Sequence, residues 1–101
     1  MTQTITRPFV EQQLKNLNRM MGMPLQPYHR NEQGVIIPQA GNFHLDNAYG
    51  KYKLCRMSLT IGSTGASDIG NMGYVSLKVL SNYIRMFSEG YMAAKEATRS
   101  A

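Results

Sequence analysis

The chain has 101 residues, a formal charge of +5, one cysteine, eight methionines and no tryptophan. That length gives a single domain, 1–101, and excludes a TIM barrel or a complete dinucleotide-binding enzyme, which need about 250 residues or two βαβ halves. The lone Cys55 excludes an intramolecular disulfide framework and a cysteine-based zinc site. At 43% hydrophobic residues the composition is that of a globular chain. Only 17% are charged, so Asn, Gln, Ser, Thr and Tyr must supply much of the surface. A chain this short buries about two-thirds of its unfolded surface, and joining a second copy is a common remedy.

The basic excess is spread out. Arg7, Lys15, Arg19 and Arg30 against Glu11 and Glu32 leave +2 in residues 1–41. Lys51, Lys53 and Arg56 against Asp46 leave +2 in 42–60, and the remainder carries +1. No basic tail exists, so electrostatic nucleic-acid binding has mild support. No stretch approaches the roughly 20 apolar residues of a membrane span. The N-terminus lacks an apolar signal core, and one unpaired cysteine suits a reducing cytoplasm.

Thr6 reads as an N-cap, with Pro8 in the first turn, where its missing N–H costs nothing. Val10, Leu14, Leu17 and Met21 recur at helical spacing, and Gly22 and Pro24 stop the pattern, predicting a helix over 7–21. A connector follows. Val35-Ile36-Ile37 predicts a short strand over 35–37, ended by Pro38. Residues 43–46 predict a second strand, and Asn47 to Gly50 a tight connection. Residues 51–60 predict the best strand, with Tyr52, Leu54 and Arg56 on one face and Lys51, Lys53, Cys55, Met57 and Leu59 on the other. Four glycines between Gly62 and Gly73 predict a long loop over 61–75. Ser76 reads as an N-cap. Leu77, Leu80, Ile84, Phe87 and Tyr91, beside Val79, Tyr83 and Met86, predict a helix over 77–97. That apolar stripe is too broad for one small sheet to cover, so a homo-oligomer through the C-terminal helix is expected. The predicted fold is α+β: an antiparallel sheet of about three strands with an N-terminal and a long C-terminal helix packed on one face.

Two stretches carry candidate chemistry. In the glycine-rich loop, backbone N–H groups near Gly65, with the hydroxyls of Ser63, Thr64 and Ser67, suit a phosphate. No Gly-Lys-Ser or Gly-Lys-Thr follows, and Asp68 opposes an anion, so this is no Walker motif. The second stretch, Gly41 to Met57, gathers Asn42, His44, Asp46, Tyr49, Lys51, Tyr52 and Arg56. Tyr49 and Tyr52 suit stacking on a base, Lys51 and Arg56, with Arg85 of the last helix, suit phosphates, and Asn42 or Asp46 suits a base edge. His44 and Asp46 share one face, yet this segment supplies too few ligands for a metal. No cofactor or metal is expected, and no catalytic residue is assigned: neither His44 nor Cys55 is set by its spacing against an ordered acid or base. Cys55, beside Met57 and Leu59, reads as a small buried hydrophobe.

Asn42-Phe43-His44-Leu45-Asp46, then Ala48-Tyr49-Gly50, then Tyr52 to Met57, resembles a family of small uncharacterised bacteriophage and prophage proteins. Their shared pattern is His-Leu-Asp, Ala-Tyr-Gly-Gly, an aliphatic strand ending in Arg, a Gly-Gly loop and a helix with a central aromatic. Here Lys51 replaces the second glycine, Gly62 and Gly65 match the loop loosely, and Tyr83 to Phe87 match the helix. The likeness covers residues 41–90. It implies a phage protein acting in the host bacterial cytoplasm, a setting in which small proteins are often counter-defence factors. The first functional expectation is a sponge that sequesters a nucleotide-derived immune signal without turning it over. The second is an inhibitor that binds a host defence protein, as anti-CRISPR proteins do, through exposed Tyr and Met surface. The third is a nucleic-acid-binding accessory protein. An enzyme comes last.

Overall fold

The computed structural model describes residues 4–59, 65–69 and 73–100. The elements are α1 (Arg7–Met21), β1 (Tyr28–Arg30), β2 (Ile36–Pro38), β3 (Phe43–Ala48), β4 (Lys51–Met57), β5 (Ala66–Asp68) and α2 (Leu77–Ser100). The fold is α+β. Strands β3, β4 and β5 form one antiparallel sheet in that spatial order, and β1 and β2 form a separate antiparallel ribbon. The molecule is 22 Å across its shortest axis, the thickness of one helix layer on one sheet, at about 10 Å each.

The helix ends follow their caps. Thr6 accepts a hydrogen bond from Phe9 N–H, and Pro8 lies in the first turn. Gly22, at φ 70°, closes α1 by donating to Arg19 C=O. At α2, Ser76 Oγ accepts from Val79 N–H while its carbonyl accepts from Leu80 N–H. The core is built from Val10, Leu14 and Leu17 of α1, Phe43 and Leu54 of the sheet, and Leu80 and Ile84 of α2. Phe87 meets Phe43 edge-on, with ring centroids 5.7 Å apart. Helix α1 lies over β3 and α2 over β4.

One buried polar residue joins helix to sheet. Asn18, on the core side of α1, donates through Nδ2 to Phe43 C=O at 3.0 Å and accepts through Oδ1 from Phe43 N–H at 2.8 Å. Its amide satisfies both backbone groups that Phe43 turns away from β4, as a neighbouring strand would. The strand then enters pairing through a bulge. Gly41 N–H donates to Met57 C=O, and Met57 N–H donates to Asn42 C=O. Gly41 has φ 84°, a left-handed conformation that favours glycine, and a Cβ there would push the Met23 thioether aside.

Several boundaries differ from those the sequence predicts. The expected antiparallel sheet of three strands is present, and among the described residues a second, two-stranded sheet stands beside it. The stretch 61–75 contains β5, because pairing with β4 overrides the weak strand preference of Ala-Ser-Asp. Strand β1 is unexpected and exists through its ladder to β2. Strand β2 lies one residue later than 35–37 and includes Pro38. Strand β3 reaches Ala48 rather than 46, because the turn needs only two residues. Strand β4 ends at Met57 rather than 60, and residue 60 lies outside the described residues. Helix α2 runs to Ser100 rather than 97, since nothing after Gly90 breaks it.

Candidate functional site

The β3–β4 register pairs Ala48 with Lys51, leaving Tyr49 and Gly50 as a two-residue turn. Their φ angles, 56° and 73°, are both left-handed, the geometry of a type I′ hairpin. An aromatic side chain is unusual in that conformation, and Tyr49 is 100% exposed.

Below the turn, Asp46 faces Lys53 across the ladder, on the side of the sheet opposite Leu45 and Leu54. The Asp46 carboxylate accepts Tyr74 O–H at 2.7 Å and Asn47 N–H at 3.0 Å, with Lys53 Nζ 3.9 Å away. Lys53 Nζ also lies 4.7 Å from the centroid of the Tyr74 ring. The Tyr74 hydrogen bond holds the Asp46 carboxyl below its ordinary value, and the same bond pushes the Tyr74 hydroxyl up. This trio clasps the chain entering α2 against the hairpin.

His44 is half-buried, with Nδ1 3.2 Å from Asn42 Oδ1. Burial lowers its pKa and favours the neutral imidazole. Asn42 is fully buried and donates to Pro24 C=O at 2.7 Å, so it staples the connector to β3 rather than presenting an edge to solvent. Cys55 pairs with His44 in the register, but burial pushes its thiol up, away from the reactive thiolate.

Three of the expected anion-binding residues do converge. Arg56 pairs with Ser67, and both, with Gly65, line a cleft of about 410 Å³ beside Leu59 and Ile69. The Arg56 guanidinium is already engaged: Nε donates to Gly41 C=O at 3.2 Å, one amine lies 3.7 Å from Met23 Sδ, and the group sits 4.6 Å from the Phe43 ring centroid. Ser63 and Thr64 lie outside the described residues.

The other expected residues are dispersed. Lys51 stands at the far end of β4 from Arg56, about 17 Å along the strand and on the opposite face. Tyr49 is at that far end too, so the tyrosine turn and the Gly65–Ser67 cleft form no common pocket. Tyr52 turns toward the helices, its ring centroid 5.8 Å from the Arg7 guanidinium, and its backbone pairs with Val75 in both directions. Arg85 lines a groove of about 250 Å³ between α1 and α2, with Gln13, Asn16 and Glu89. A further polar cleft of about 420 Å³, at the outer edge of β3, is lined by Arg7, Lys15, Asn18 and His44 among others.

The surface that sequence reasoning passed over is the ribbon. Tyr28, His29, Arg30, Ile36 and Ile37 are all exposed, as is Val35. Its turn is tightly built: Asn31 Oδ1 accepts from both Gln33 and Val35 N–H, Gly34 N–H donates to Asn31 C=O, and Arg30 donates to Gly34 C=O. At its base, Gln39 N–H donates to Pro27 C=O. The available signal was three consecutive β-branched residues with no second apolar strand for them to cover. Asn18 had a signal as well, a polar residue four positions after Leu14 on the apolar stripe. Tyr74 had none, because its contact with Asp46 spans 28 residues.

Among the described residues no group of three or more His, Cys, Asp or Glu stands close enough to hold a metal, and no helix is long and apolar enough to cross a membrane. Compared with protein-family models, with curated proteins and with solved structures, the chain matches none.

Proposed function

We propose that this chain is a non-catalytic protein-binding module and that the β1–β2 ribbon is its contact surface. The observation that carries this reading is the ribbon itself. A two-stranded ribbon alone is marginal in water, yet this one holds Ile36 56% exposed with Val35, Ile37 and Tyr28 beside it. Its turn is fixed by side-chain hydrogen bonds, so the aliphatic surface is held ready before any partner arrives, which lowers the ordering cost of binding. In the phage setting that the resemblance implies, a host defence protein is the class of partner. Immobilised wild-type chain should recover one stoichiometric partner from host lysate, and Ile36→Asp should lose it while keeping its circular dichroism and melting temperature. Equal recovery by both proteins would refute the ribbon's role.

The second reading, sequestration of a nucleotide-derived signal, is favoured by the convergence of Arg56, Gly65 and Ser67 on one cleft. Against it stand the separation of Lys51, Arg56 and Arg85 and the prior engagement of the Arg56 guanidinium. A thermal-shift panel of cyclic di- and trinucleotides decides: a saturable shift abolished by Ser67→Glu favours this reading over the ribbon.

A further inference from the structure

We infer that the groove between α1 and α2 binds a free amino acid with an apolar side chain. The floor of the groove is apolar, formed by Leu17, Met20 and Ile84. Its walls are polar, and their groups are short of partners. Gln13 donates through Nε2 to Ser81 C=O across a long 3.4 Å, and its Oε1 is buried with no hydrogen bond. An acceptor shut away from both water and protein destabilises the fold, and a ligand donor in the groove relieves it by drawing the amide round. Arg85 and Glu89 line the same groove, one helical turn apart and both exposed. Arg7 and Glu11, at the same spacing on α1, pair at 2.8 Å. Among the described residues Arg85 and Glu89 form no ion pair, with each other or with any neighbour.

The polar groups select the ligand by kind. Gln13 Oε1, the Glu89 carboxylate and Ser88 Oγ all accept, since the Ser88 proton is committed to Ile84 C=O at 2.8 Å. The Arg85 guanidinium donates, as does Asn16 Nδ2, because Asn16 Oδ1 already accepts from Gln12 at 3.1 Å. A primary ammonium carries three donors and no acceptor, so one such group serves all three acceptors. A carboxylate takes hydrogen bonds from a guanidinium and an amide at once. An α-amino acid carries both groups on a single carbon and leaves its side chain to cover Leu17, Met20 and Ile84.

Charge and size agree. Arg85 and Glu89 give the groove one charge of each sign, which suits a zwitterion and opposes a ligand of single charge. The volume, about 250 Å³, lies below the roughly 300 Å³ at which pockets for drug-sized ligands begin. It takes one leucine, methionine or phenylalanine and is too small for a nucleotide. A side chain bearing its own charge would have to desolvate that charge against the apolar floor. The site uses no residue of the β1–β2 ribbon.

Titration of the isotopically labelled chain with L-leucine, L-methionine and L-phenylalanine, followed by nuclear magnetic resonance, tests this. Saturable shifts are expected at the Gln13, Leu17, Arg85 and Ser88 amides. N-acetyl-leucine and leucinamide, each lacking one of the two charges, should bind at least about tenfold more weakly than leucine. Arg85→Gln, at an exposed position, should weaken leucine by a similar factor and leave leucinamide unchanged, because leucinamide has no carboxylate for Arg85 to hold. No saturable shift with any of the three amino acids, N-acetyl-leucine binding as tightly as leucine, or Arg85→Gln acting equally on leucine and leucinamide would each overturn the inference. Ile36→Asp should leave amino-acid binding intact, so failure here and failure of the ribbon reading are separable.

Discussion

The β3–β4 hairpin and the β1–β2 ribbon meet opposite fates. In the β3–β4 hairpin, Phe43 and Leu54 disappear under α1 and α2. In the β1–β2 ribbon, Ile36, Ile37 and Tyr28 remain in solvent. The ribbon is the more aliphatic of the two, so residue type did not decide which was covered. Helix placement did: α1 and α2 lie on β3 and β4, and neither is among the main neighbours of β1 or β2. Apolar side chains that a fold pays to keep in water are candidates for contact with another molecule.

That contrast can be broken at both ends. The largest effect is expected from Phe43→Ala, which empties the space between α1, α2 and the sheet and should cost about 3–5 kcal/mol in urea unfolding. Next comes Asn18→Leu. It fits the apolar stripe of α1 but orphans Phe43 N–H and C=O, at roughly 1–3 kcal/mol for each group; a stability equal to wild type would remove Asn18 from its role as surrogate strand. A smaller, pH-dependent effect belongs to His44. Its folded pKa lies below the ordinary 6.5, so on acidification the unfolded chain takes up the proton first. Stability is therefore full above that value and falls as pH drops below it towards the folded pKa. His44→Gln should flatten this part of the urea-midpoint profile. The smallest effect is expected in the ribbon, where Ile36→Ser should change stability by no more than about 0.5 kcal/mol. A loss of several kcal/mol there would mean that the ribbon supports the core after all.

Local signals made the helices readable. Thr6, Pro8 and Gly22 delimit α1 at the residues where it begins and ends, and Ser76 starts α2. The β3–β4 pairing was partly readable too: Gly50 marks a tight connection between strands at 43–46 and 51–60, but the register was not, because the turn takes Tyr49 and Gly50 alone and so sets Asp46 opposite Lys53. Strands β1 and β5 were hidden for a common reason. Tyr-His-Arg and Ala-Ser-Asp show no alternation, and each becomes a strand only by bonding to a neighbour that the sequence does not name. The candidate site was less legible than the fold. Asn42, Arg56 and Tyr52 are polar or aromatic residues of the kind that binds ligands, but here each side chain is largely occupied by the fold: Asn42 with Pro24, Arg56 with Gly41 and Phe43, Tyr52 with Arg7 and the core. Composition does not distinguish a group that fastens the chain from one that waits for a ligand.

The amide of Asn18 has a consequence for colloidal behaviour. By occupying the hydrogen-bonding groups of Phe43, it blunts one rim of the main sheet against end-on accretion of further chains. Concentrated solutions that cloud or gel should therefore do so through Ile36 and Ile37, and a polar residue at either should lengthen the time a sample stays clear.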